Sequence, residues 1–276
     1  AMAWTTRASG AMPPVFTPLQ NDPSRNGKGI VVQALGIIGG SGLSRLEGMQ
    51  IEREEIVATP YGDPSAPLIF GRSDGRPLVF LPRHGAAHTI PPHRVNYRAN
   101  LWALQRAGVQ RVVGMAAVGG IGASMPPGAL AVPDQVIDYT WGREHTLFET
   151  DPAGVTHVDF TDPYCEALRQ DLLQSAKRVA VAVHDGGTYA ATQGPRLESS
   201  AEIARLERDG CDMVGMTGMP EASIARELGL CYASLALSVN WAAGKTDGPI
   251  SMAEIQRHLE DGMALARRVL AAVASP

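Results

Sequence analysis

The sequence predicts an α/β protein with a single domain, in which helices flank a β-sheet. Three observations predict it. Short apolar runs alternate with helix-period patterns from residue 30 to the end. Those runs are almost continuously apolar, as strands covered on both faces are. No internal repeat or interior linker interrupts the pattern.

The elements follow in order. Ile30, Val31, Val32, Leu35, Ile37 and Ile38 form an apolar run that feeds "GGSG" (39–42), a strand entering a tight glycine turn. "PLVFLPR" (77–83), "RVVGMAAVGG" (111–120), "ALAVPDQVIDY" (129–139), "GTYAATQ" (187–193), "DMVGM" (212–216) and "CYASLALSV" (231–239) are the further strands. Ser199 with Glu202 makes a capping box, and Gly210 stops the helix it opens. Pro220 suits a first helical turn, and Gly229 ends that segment. Ser251 with Glu254 opens the last helix, where Ile255, Leu259, Met263, Ala266 and Leu270 trace one apolar stripe.

Composition narrows the function. At 276 residues and 45% hydrophobic, the chain can bury a large core, hiding roughly 75% of its unfolded surface. A net charge of −4 argues against a protein that coats nucleic acid. No apolar stretch nears the roughly 20 residues of a membrane helix. Residues 1–29 lack an apolar block and are expected to be a flexible leader before a domain spanning 30–276. Three cysteines (Cys165, Cys211 and Cys231) without metal-ligand spacing lead us to expect reduced thiols and a cytoplasmic protein.

The chemistry concentrates at strand ends. After "GIIGGSGL" the dinucleotide fingerprint fails, because Arg45 stands where its third glycine should fall, and no lysine completes a Walker loop. What remains is a turn whose amides and Ser41 hydroxyl suit a small oxyanion, or simply a tight turn. "LPRHGAAHTIPPHRVNY" (81–97) crowds Arg83, His84, His88, His93 and Arg94 after a strand, a phosphate-binding loop or a solvated basic one. Zinc is disfavoured there, since no cysteine or acid is suitably spaced. "MAAVGGIG" (115–122) reads as a second glycine turn, and in "GMTGMPEA" (215–222) Thr217 precedes a helix N-terminus. Met216 and Met219 are core filler by default. Three such turns with an arginine loop favour phosphate. Glu198 and Asn240 read as a helix-capping acid and a turn residue, or as partners for the edge of a flat heterocycle. No Gly-x-Ser-x-Gly elbow, HExxH motif or activated cysteine offers a nucleophile, so direct attack by bound phosphate fits better than covalent catalysis.

Six ordered stretches carry a family resemblance: "GIIGGSGL", "RHGAAHTIPPHRVNYRANLWAL", "GGIGASMPPGALAVPDQVIDYT", "TQGPRLES", "GMTGMPEA" and "CYASLALSVN". Together they resemble the trimeric purine nucleoside phosphorylase and methylthioadenosine phosphorylase family, from about Gly36 to the last helix. The resemblance implies a mixed sheet flanked by helices, a homotrimer with sites near subunit interfaces, and phosphorolysis of a nucleoside. It implies no metal and no cofactor beyond phosphate as co-substrate, and no nucleic-acid or membrane partner. The phosphate site falls on Ser41, Arg83, His84, the Ala116–Ala117 backbone and Thr217, with His88 nearby. Met216 matches the methionine under the ribose, and Glu198 and Asn240 the base site.

The departures point to the substrate. Methylthioadenosine members keep Asp-x-Asp where this chain has Asn240 and Ala242. An amide donates to a 6-oxo group and accepts from N7–H, and Glu198 matches the acceptor for N1–H, so a 6-oxopurine is expected. Met252 stands in a segment where inosine enzymes place a histidine for the 5′-hydroxyl, which suits a 5′-methylthio sugar. Ala116 replaces a hydroxyl residue, which puts a side-chain phosphate contact at that position in doubt. The rivals are a general inosine/guanosine phosphorylase, a methylthioadenosine phosphorylase, a nucleoside hydrolase and a non-catalytic purine-binding protein.

Overall fold

Leu35–Gly39 (β1) is buried at every position and is the first element of the protein described by the structure, a computed structural model. The described residues are 34–43, 46, 48–149 and 155–273, so the leader, Ile30, Val31, Val32 and Arg45 lie outside them. The chain divides into a unit of residues 1–31 and one of residues 32–276, and the second carries every described element. After β1 come Gln50–Glu55 (β2), Leu68–Ser73 (β3), Arg76–Pro82 (β4), Tyr97–Arg106 (α1), Arg111–Gly120 (β5), Leu130–Val132 (β6) and Gln135–Asp138 (β7). Glu166–Arg178 (α2), Val183–Asp185 (β8), Thr188–Ala191 (β9) and Ser200–Arg208 (α3) follow. Met213–Gly215 (β10), Gly218–Glu227 (α4), Cys231–Trp241 (β11) and Met252–Ala272 (α5) complete the series.

The sheet is mixed and branches at β5. One path runs β2-β3-β4-β1-β5-β10-β9-β7, while β11 pairs with β5 and leads to β6 and β8. The centre is parallel: β1 with β4, β1 with β5, and β5 with β11. Val112 and Val113, neighbours on β5, enter two different hydrophobic clusters, as alternation requires of a strand covered on both faces. α1 and α4 pack together on one side, and α2 and α5 on the other. The stripe on α5 faces inward as its spacing predicts, with Leu259, Met263, Ala266 and Leu270 buried and Ile255 partly so. Among the described residues no helix is long and apolar enough to cross a membrane.

Several local expectations hold at residue level. Ser199 accepts from the Glu202 amide at 3.2 Å and the Glu202 carboxylate from the Ser199 amide at 2.7 Å, completing the capping box. Others need correction. The apolar run at 129–139 is two strands, broken where Pro133 removes a ladder donor. "MAAVGGIG" is no turn: β5 continues through Gly120, whose missing Cβ would stand 1.8 Å from the Met125 carbonyl oxygen. Pro220 and Met219 have non-helical backbone angles, so α4 is regular only beyond them. Cys165 and Cys231 form a disulfide, and only Cys211 is a free, buried thiol. The fold brings the start of β11 to the residue capping α2, where the Cys165 amide donates to the Tyr232 carbonyl at 2.8 Å. Spacing along the chain does not reveal that meeting.

Candidate active site

The carboxyl ends of β1, β4 and β11 open toward one cleft of about 560 Å³, where the branching of the sheet leaves one edge of β5 without a partner strand. On one edge β1 pairs with β5 only as far as Gly114, and β10 joins it only at Gly119. Between them the edge is bare. Met115 turns its carbonyl to this edge, where Arg83 Nη1 donates to it at 2.7 Å. Backbone groups alternate along a strand, so the amide of Ala117 faces the same edge and is available to an anion. Gly40 makes the approach possible, since a Cβ there would stand 2.6 Å from the Met115 oxygen and 3.0 Å from Arg83 Nη1.

Arg83 is 1% exposed and held by a partner that the sequence does not single out, Glu221 of α4. Nε donates to Glu221 Oε2 at 2.6 Å and Nη2 to Oε1 at 2.7 Å, a bidentate pair with both side chains buried. Tyr232 also donates to Oε1, at 2.8 Å. Burial opposes the charge on Arg83, but the Glu221 carboxylate outweighs it and holds the guanidinium above its ordinary range. Burial and the same carboxylate push the Tyr232 phenol up, so it remains a donor. Three of the five guanidinium N–H groups are thereby used, which leaves one on each terminal nitrogen for a ligand.

His84 sits beside this pair and is neutral. Burial and the Arg83 charge lower its pKa to about 4 from the ordinary 6.5. Its Nδ1 lies 2.8 Å from the Ile90 carbonyl oxygen, which can only accept, so the proton is on Nδ1 and Nε2 carries a lone pair. An oxygen meeting that nitrogen must bring its own proton, as a protonated phosphate or a sugar hydroxyl does. The folded protein therefore binds this proton less readily than the unfolded chain. Stability should be full above pH 6.5 and fall as pH drops through the window from 6.5 to about 4. His84→Gln should flatten that part of a Tm-against-pH curve. A mutant curve parallel to wild type would place the acid sensitivity elsewhere.

All the residues expected to form the site line this one cleft: Ser41, Arg83, His84, His88, Ala116, Ala117, Glu198, Met216, Thr217, Asn240, Ala242 and Met252. Ser41 Oγ and His88 Nε2 lie 3.5 Å apart, and the His84 and His88 rings are in tilted contact at 4.7 Å. His93 and Arg94, from the same basic stretch, do not line it. Among the described residues no group of acids, histidines and cysteines is arranged to hold a metal ion.

At the other end, Glu198 is not the helix cap, a role filled by Ser199; it accepts from Thr192 Oγ1 at 2.6 Å. Nor does Asn240 sit in a turn. β11 runs on to Trp241, and a bulge between Ser238 and Asn240 re-aims the strand at the cleft. Asn240 Nδ2 donates to the Trp241 carbonyl at 2.7 Å, leaving one N–H and the amide oxygen for a ligand. Gly194 closes over Met216, with space for no side chain: a Cβ would stand 2.4 Å from the Met216 sulfur. The remaining wall is apolar, formed by Ile250, Met252, Ile255 and Leu259, with Met252 at the rim and 69% exposed.

An anion cradle, a heterocycle edge and an apolar end in one cleft of an α/β sheet define a protein built to hold a phosphate and a nucleoside side by side. Residues 34–275 match the Phosphorylase superfamily, and the chain belongs to that family. It is 54% identical over 239 residues to a "Probable S-methyl-5'-thioinosine phosphorylase" of Pseudomonas syringae pv. tomato, covering 87% of this chain and 97% of that one. A "Probable 6-oxopurine nucleoside phosphorylase" of Dictyoglomus turgidum is 43% identical, with 87% and 90% covered. Among solved structures, methylthioadenosine phosphorylase from Schistosoma mansoni in complex with adenine is similar at a TM-score of 0.83 and 33% identity, with 87% and 90% covered.

Proposed function

We propose that the protein is a pentosyltransferase that cleaves S-methyl-5'-thioinosine with phosphate, giving hypoxanthine and 5-methylthioribose 1-phosphate. The observation that carries this reading is Asn240 followed by Ala242 at the end of β11, in the same cleft as Glu198. That pairing offers an amide to O6 and N7 and a carboxylate to N1–H, the edge of a 6-oxopurine. The apolar wall around Met252 suits a thioether better than a hydroxyl, and relatives named for thioinosine and for 6-oxopurine nucleosides support the base assignment.

In the reaction, a phosphate oxygen bonds C1′ as the C1′–N9 bond breaks, and the base leaves with the bonding pair. Arg83, Ser41, Thr217 and the Ala117 amide hold the phosphate. His84 accepts a proton-bearing oxygen. The anionic base takes a proton from solvent at N7 and becomes neutral, and the Asn240 amide oxygen accepts a hydrogen bond from that N7–H. The rate comes from positioning and from dipoles fixed before charge develops on the base. Phosphate is the only co-substrate the balance requires.

Product analysis with methylthioinosine, methylthioadenosine, inosine and guanosine, each with and without phosphate, tests this. Hypoxanthine should appear fastest from methylthioinosine and only with phosphate. Release without phosphate would make the protein a hydrolase, and faster release from inosine a general 6-oxopurine phosphorylase. We further propose a homotrimer, because Leu197 and Met252 leave the cleft rim apolar and exposed. Light scattering should then give three chains of 29.2 kDa.

A further inference from the structure

We propose that Arg143 is a positioning residue that sets the separation between the base subsite and the sugar-phosphate subsite. Its side chain joins the two segments through a single fork of donors where they leave the β9–β10 ladder. Nη2 donates to the carbonyls of Thr192 and Gln193, at 3.1 and 2.8 Å. Nη1 donates to the carbonyls of Met216 and Met219, at 2.8 and 2.7 Å. Nε reaches the Gln193 side-chain oxygen at 3.1 Å. Thr192 is the residue that holds Glu198, and Met216 and Thr217 line the cleft.

Arg143 forms no ion pair among the described residues, and backbone oxygens take most of its donors. A guanidinium offers them in a rigid plane, so the spacing of its two terminal nitrogens is imposed on the segments they bind. An ammonium group cannot copy this, because its donors radiate from one point. Each segment has a fixed point of its own: Glu198 is held by Thr192 just before the Ser199 cap of α3, and Thr217 is the N-cap residue of α4. β9 and β10 pair as far as Ala191 and Gly215, and the Thr192 amide donates to the Gly215 carbonyl at 2.8 Å. What falls to Arg143 is the placement of the two segments beyond that ladder, which matters when one substrate must reach both.

The inference rests on the phosphorolytic reading for its kinetic arm alone. In the full chain, Arg143→Lys and Arg143→Met should each lower kcat about 100-fold, the cost of roughly an ångström of misplacement, while the KM for nucleoside and for phosphate stays near wild type. Amide exchange over residues 192–198 and 216–219 should rise together in both variants, a measurement that needs no substrate. Arg143→Lys keeps the charge and most of the volume, so it reports even where Arg143→Met folds poorly. Retained kcat in a folded variant would overturn the proposal, as would a raised KM with unchanged kcat. Unchanged exchange in either segment would overturn it too. A wild-type protein inert toward every nucleoside would sink the functional reading instead, and exchange would still decide the role of Arg143.

Discussion

The double variant Asn240→Asp with Ala242→Asp should lose methylthioinosine turnover and gain methylthioadenosine turnover relative to wild type. A site built to hydrogen-bond one heterocycle edge leaves its own groups unpaired against another, which separates substrates by roughly 10⁴-fold. Adenine presents a donor where hypoxanthine presents O6, and it has no N1 proton for Glu198. Carboxyl groups at 240 and 242 restore acceptors for the 6-amino group. The gain should be partial for two reasons on this chain. Glu198 remains, held by Thr192, and still opposes adenine. The Trp241 carbonyl that now accepts from Asn240 Nδ2 would also face a carboxylate oxygen unless that group is protonated. Ala242 lines the cleft, although it is only 3% exposed, so the larger side chain has the cleft to enter. The ratio of the two kcat/KM values is the measurement. An equal change for both substrates would mean that Asn240 serves the strand alone, and a wild type that cleaves both equally fast would remove the basis for the assignment.

Glu221→Ala should damage both stability and phosphate binding. It leaves the Arg83 guanidinium buried without its counter-charge, which costs about 3–5 kcal/mol of stability. Urea unfolding reads that loss. The same change frees Arg83 to swing from the position fixed by Glu221 and the Met115 carbonyl, so the phosphate KM should rise by about 10- to 150-fold, the worth of one charge-assisted contact. Glu221→Gln keeps the shape and a single acceptor oxygen, and should fall between the two. Tyr232→Phe removes one neutral donor and should cost about 1 kcal/mol with phosphate affinity nearly intact. Arg83→Ala is the less informative experiment, because Arg83 supports the fold as well as the anion: it strands Glu221 in turn. Wild-type stability and phosphate KM in Glu221→Ala would dismiss the pair as an organiser of the site.

Signals that act over a few residues were legible in the chain itself. The glycine turn after β1, the capping box at Ser199, the inward stripe of α5 and the central apolar strands all follow from local sterics and periodicity. The ordered motifs likewise marked residues that line the cleft, from Ser41 to Asn240. β2 escaped because every residue of it is exposed, so no buried face imprints a pattern on it. Gly119–Gly120 was misleading because glycine serves close approach as readily as it serves turns. The remaining features are pairings of distant residues. Arg83 meets Glu221 across 138 positions, Cys165 meets Cys231 across 66, and Arg143 gathers carbonyls from the segments that follow β9 and β10. None of these partners is distinguishable locally from an ordinary surface charge or thiol. Topology alone supplies the meeting, and burial then makes the partner obligatory, because a charge removed from water must be matched by another group nearby.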